Sequence, residues 1–123
     1  MERSDGSESV LGPLEAEVMG VLWSAEVACT PREVLVRLND KRGTPLAYTT
    51  VMTVMARLAE KGVLKRLPAR RGYAYEPLVR DAAEIAVRSV MRDFGGAAVA
   101  HFVAEARADP KLRRRLERLL RES

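Results

Sequence analysis

Three threonines and an arginine share one side of a single helical segment. At about 100° per residue, Thr49, Thr53, Ala56, Arg57 and Glu60 of the segment 47–61 gather on one face, with Thr50 at its edge. Tyr48, Val51, Val54, Met55, Leu58 and Ala59 take the opposite, apolar side. Threonine hydroxyls donate to and accept from base edges or phosphates, and their methyls pack on a thymine methyl. An arginine pairs with guanine or with phosphate. Threonine is a poor helix former, so three within the five residues 49–53 is a costly choice for an exposed face selected for stability alone. This pattern implies a helix that reads DNA through Thr49, Thr50, Thr53 and Arg57, with Tyr48 opening it and counted in the same set.

A second basic group follows closely. Pro68-Ala69-Arg70-Arg71-Gly72 punctuates two short apolar-alternating runs, 63–67 and 73–78, which predict a hairpin with Arg70 and Arg71 at its tip. Lys65 and Arg66 are further candidate phosphate contacts. Residues 30–71 hold ten Lys/Arg against three acids, a net of +7, whereas the remainder nets −3. A local basic excess of this kind is the electrostatic footprint of a nucleic-acid surface.

Other chemistries find little support. Cys29 is the sole cysteine and His101 the sole histidine, so neither an internal disulfide nor a Cys/His zinc site is expected. Cys29 reads as a small buried apolar residue. A converging acid, base and nucleophile is absent, so the chain is not expected to be an enzyme, and no cofactor or metal is implied.

Those side chains need elements to hold them. The chain is 123 residues long, 47% hydrophobic and 31% charged, enough apolar material for a folded core. No run reaches the roughly 20 apolar residues that span a bilayer, and no signal core follows Met1, so a cytoplasmic protein without membrane insertion is expected. Residues 1–10 read as a polar, disordered lead-in. A first helix over Pro13–Ser24 carries Leu14, Val18, Val21 and Leu22, with Trp23 as core. Val27-Ala28-Cys29 fits a brief strand. Thr30-Pro31-Arg32-Glu33 has the form of a capping box and starts a second helix bearing Val34, Leu35 and Leu38. The DNA-reading helix runs from about Ala47 to Lys61, with Gly62 as its stop.

Helix, short strand, helix, helix and hairpin make a winged helix-turn-helix over 11–79. Residues 80–123 predict three helices, broken at Gly95-Gly96 and restarted at Asp109-Pro110. The whole is mainly α with one small β-hairpin. Three thin amphipathic helices cannot bury their own stripes, so a homodimer is expected through Ile85, Met91, Phe94, Phe102, Leu112, Leu116 and Leu119. The alternative is that they fold back on the first domain. The arginines at 113–115, 118 and 121 read as a solvated face, with a second DNA contact as the other reading.

Leu14-Glu15-Ala16-Glu17-Val18-Met19 through Leu22-Trp23, Ala47-Tyr48-Thr49-Thr50-Val51-Met52-Thr53-Val54-Met55-Ala56-Arg57-Leu58 through Lys61-Gly62, and Tyr73-Ala74-Tyr75-Glu76-Pro77 together resemble the penicillinase repressor family (BlaI/MecI type). The resemblance spans roughly residues 10–122. It implies a bacterial homodimeric repressor on a palindromic double-stranded DNA operator, with Thr49, Thr50, Thr53 and Arg57 in the recognition helix. It also implies inactivation involving a membrane sensor protease, by cleavage before a Phe. The matching bond here is His101–Phe102, where the best-known members have Asn in place of His. Two other readings stay open from the residues alone: a ligand-gated winged-helix regulator, and a winged helix used for protein interaction without base readout.

Overall fold

The computed structural model describes residues 10–122, so the lead-in expected over 1–10 lies outside them apart from Val10. Val10 is half-buried against the core and Leu11 is buried, so Val10, placed in the lead-in by the sequence, packs with the fold. Helix α1 (Pro13–Ser24) starts at Pro13, and the Glu15 side chain reaches back to accept from the Gly12 N–H at 3.0 Å. It buries Val18, Met19 and Leu22. Trp23 is half-buried, and its indole N–H donates to the Val79 carbonyl at 2.9 Å.

Helix α2 (Pro31–Asn39) begins with the expected capping box. Thr30 Oγ1 accepts from the Glu33 N–H at 3.2 Å, and Glu33 Oε1 accepts from the Thr30 N–H at 2.9 Å. Those hydrogen bonds, the backbone one first and then the Thr30 side chain, hold the Glu33 carboxyl below its ordinary pKa. Helix α3 (Tyr48–Glu60) buries Val51, Met55 and Leu58. It ends in a Schellman motif. The Val63 N–H reaches the Leu58 carbonyl at 3.0 Å and the Gly62 N–H reaches Ala59 at 3.1 Å. Gly62 takes φ +78°, a left-handed conformation that disfavours a side chain even though the space around it is open.

Strands β1 (Leu64–Ala69) and β2 (Gly72–Pro77) pair antiparallel from Leu64↔Pro77 to Ala69↔Gly72. Only Arg70 and Arg71 remain in the turn, so the hairpin is longer and tighter than the five-residue link expected. Neither arginine has positive φ; Gly72 takes φ +110° after them. Pro68 sits inside β1, which its missing N–H permits because β1 is an edge strand. On the other side of β2, Cys29 exchanges both backbone hydrogen bonds with Tyr75 at 3.0 and 2.8 Å. The brief strand expected at 27–29 is this single bridge, and Val27 is 74% exposed.

The three helices pack on one another and on the hairpin. Val18, Met19, Val34, Val51, Met55 and Leu58 are fully inaccessible at the centre, and Leu64, Tyr75 and Val79 close it from the hairpin side. This is a winged helix.

The chain divides into two units, the first ending at Ala86 and the second running from Val87. Helix α4 (Ala82–Phe94) crosses that boundary. Asp81 Oδ1 accepts from the Glu84 N–H at 2.9 Å, which places the helix start at Ala82 rather than Arg80. Ala82 is buried and Ile85 is half-buried against the N-terminal core. Ile85, grouped above with the dimerisation residues, thus packs within the winged helix, and the unit boundary lies beyond 79–80. The second unit holds the rest of α4, α5 (Gly96–Ala108) and α6 (Pro110–Glu122). Gly95, at φ +54°, makes the first joint. Asp109 caps α6 by accepting from the Lys111 and Leu112 N–H groups at 3.0 and 3.2 Å. Among the described residues from Val87 on, Ala106 alone is buried. No helix of the described residues is long and apolar enough to cross a membrane.

Candidate nucleic-acid interface

Which charges are available is decided by two ion pairs. Lys61 Nζ lies 2.8 Å from Glu15 Oε2, and Arg42 Nη2 lies 2.6 Å from Glu17 Oε2. Both cations belong to the basic block 30–71, yet both are committed to acids of α1. Burial works to raise the Glu15 carboxyl, but hydrogen bonds from Lys61 and the Gly12 N–H outweigh it and hold the pKa below its ordinary value.

Other cations of the block converge. A groove of about 1020 Å³ runs between the outer face of α3, the start of α2 and the hairpin. Arg32, Arg57, Arg66, Arg70 and Arg71 line it, against the single acid Glu60. From α3 the floor is Met52, Thr53 and Ala56. Tyr48 of α3 and Tyr73 of the hairpin also line it, with Arg32 over the Tyr48 ring at 4.9 Å and Arg66 over the Tyr73 ring at 4.7 Å. Thr49 and Thr50 are exposed on the first turn of α3, outside the groove's lining.

Sheet register sorts the two neighbours of β1. Side chains alternate across a strand, so Leu64, Arg66 and Pro68 share a face with their partners Pro77, Tyr75 and Tyr73. Leu64 and Tyr75 lie in the core at the base of that face, and Arg66 and Tyr73 extend it into the groove. Lys65 points the other way, opposite Glu76, and does not line the groove.

The family described as penicillinase repressor matches residues 11–122. The chain belongs to the penicillinase repressor family. Among its relatives is the transcriptional regulator BlaI of Mycobacterium tuberculosis, in strains CDC 1551 / Oshkosh and ATCC 25618 / H37Rv. Each is 40% identical over 121 residues, covering 89% of this chain and 84% of the relative. Among solved structures, the complex structure of hsRosR-S1 superposes with a TM-score of 0.53 at 17% identity, over 97% of this chain and 95% of that one. That likeness is one of fold. The protein is thus a transcriptional regulator of the penicillinase repressor family, a class that is not enzymatic.

Of the residues expected from sequence, the penicillinase repressor fold brings Tyr48, Thr53, Arg57, Arg66, Arg70 and Arg71 into one groove. It leaves Thr49 and Thr50 exposed beside it and turns Lys65 away. Tyr48, placed on the apolar side by angle, is 37% exposed because the helix end uncovers it. Arg32, Met52 and Tyr73 were not singled out from sequence. Arg32 was visible only as one cation of the basic block, and nothing local relates it to Tyr48.

Proposed function

We propose that this regulator is a homodimeric repressor that seats α3 in the major groove of a palindromic DNA operator. The observation that carries the reading is the groove itself, which five arginines and a single acid line together with Thr53 of α3. Thr49, Thr50, Thr53 and Arg57 contact base edges; Arg70 and Arg71 hold the backbone or the adjoining minor groove. That charge ratio favours a polyanion over a neutral small-molecule effector, and it argues against a protein-interaction role without base readout.

Dimerisation is supported by the second unit's uncovered apolar residues. Met91, Phe94, Phe102 and Leu119 are exposed at 44%, 65%, 45% and 45%, while Leu112 and Leu116 are half-buried. A second copy covering them matches two half-sites on the operator. Release through a membrane sensor protease falls in this reading on the His101–Phe102 bond, whose Phe102 is among the residues a second copy would cover. That bond lies inside α5, so cleavage requires both the helix and the contact between copies to open first. This role belongs to the cytoplasm.

The test is a gel shift on the protein's own promoter and on a random duplex of equal length, across a salt series. Preference for the promoter and a steep loss of affinity with salt are expected, since several phosphates shed counterions. Equal affinity for the two duplexes overturns the reading.

A further inference from the structure

We propose that the two arginine–tyrosine pairs lining the groove, Arg32 on Tyr48 and Arg66 on Tyr73, are twin clamps for phosphodiester groups of the DNA backbone, one where the two helices of the helix-turn-helix begin and one on the hairpin. The proposal rests on the operator-binding function above and names the residues that fix register rather than sequence.

Three observations converge on it. First, both guanidinium groups are held in the same way, 4.9 and 4.7 Å from a ring centroid, and both pairs line the same groove. A ring meets a guanidinium on one side, and the N–H groups turned away from it can meet two phosphate oxygens at once. Second, among the described residues neither Arg32 nor Arg66 lies within ion-pair distance of a carboxylate, unlike Arg42 and Lys61 of the same basic block. The molecule neutralises some cations of the block internally and leaves these two stacked and open. Third, Arg32 is the second residue of α2, where the helix dipole disfavours a cation by some tenths of a kcal/mol. An anion docked at that point reverses the sign.

The rings supply order. An arginine in solvent loses side-chain freedom when it docks, and one already stacked loses less. Tyr48 starts α3 and Arg32 starts α2, so the first clamp ties both helices of the helix-turn-helix to the same backbone segment. The second clamp bridges the two strands diagonally, Arg66 on β1 to Tyr73 on β2, and so makes the hairpin's stem, not only its tip, a backbone contact.

The experiment uses the full chain with the promoter duplex and the random duplex, measuring Kd over a series of KCl concentrations. Arg32→Gln and Arg66→Gln each lower the magnitude of the log Kd against log salt slope by about 0.9, and together by about twice that. Each weakens both duplexes by the same factor, leaving the promoter-to-random ratio as it was. Tyr48→Leu and Tyr73→Leu keep the parental slope, because the charge remains, yet lose more affinity than Tyr48→Phe and Tyr73→Phe. Should a leucine variant fail to fold, as read by thermal unfolding, the arginine variants alone decide. Parental slopes in both arginine variants, or a loss confined to the promoter duplex, overturn the clamps alone. Salt-insensitive or absent binding by the unsubstituted chain overturns the operator-binding function and the clamps with it.

Discussion

Glu15 and Lys61, 46 residues apart, join the first turn of α1 to the C-cap of the reading helix through a 2.8 Å contact. The same carboxylate holds the Gly12 N–H with its other oxygen, so one side chain both starts α1 and anchors the end of α3. Its pKa is depressed in the fold, despite the opposing pull of burial. A carboxyl depressed on folding contributes stability that is complete above its unfolded pKa and is lost as pH falls through the folded value. The denaturation midpoint is therefore expected to fall through the acid range. Glu15→Gln flattens that profile and costs about 1 kcal/mol at neutral pH, as chemical denaturation at several pH values will read.

Lys65 and Arg66 are adjacent in sequence and opposite in consequence. Arg66 faces the groove with Tyr73, whereas Lys65 faces Glu76 on the other side of the hairpin. Lys65→Gln is expected to reduce the salt dependence of DNA binding by less than Arg66→Gln does. Equal slopes for the two variants contradict the register argument.

Arg57 and the hairpin tip divide base reading from backbone holding. Arg57→Ala is expected to cost about 1–3 kcal/mol on the promoter duplex and to narrow its advantage over random DNA. Arg70→Ala with Arg71→Ala is expected to weaken both duplexes alike. Matched and mismatched sites in a competition titration distinguish the two patterns.

Asn39 closes the connection from α2 to α3. Its Oδ1 accepts from the Leu46 N–H at 2.8 Å and its amide donates to the Leu46 carbonyl at 3.2 Å. Asn39→Ala leaves both half-buried backbone groups without that partner, at about 1–3 kcal/mol in thermal unfolding. Because the residue orients the start of the reading helix, the promoter-to-random ratio should fall as well. An unchanged ratio would limit Asn39 to a role in stability.

Cys29 is 2% exposed, and burial pushes its thiol pKa up, with the Glu33 charge adding to the effect. The thiolate is the reactive form, so alkylation of the folded protein near neutral pH should be far slower than that of the denatured chain. Fast labelling of the native state, followed by mass spectrometry, would contradict the burial of the Cys29 side chain.

Local chemistry made several features legible in the sequence. The Thr30–Glu33 capping box, the prolines that open α1 and α2, the glycine stop after α3 and the outward threonines depend on residues within a turn or two of one another, and each is where its spacing places it. The hairpin was legible for the same reason, though not its register, because a single pairing shift reverses every side chain's face. The remainder is tertiary. That Lys61 and Arg42 are spent on α1 while Arg32 and Arg66 stand open depends on contacts across 25 to 46 residues, which no local pattern encodes. That Ile85 belongs to the winged helix depends on what packs around it, since an amphipathic stripe specifies that a face be covered and not by what. The sequence by itself determined a winged helix with a basic, hydroxyl-bearing reading helix. Only the fold decided which cations meet in the groove, because charge is carried by composition and its availability by neighbours in space.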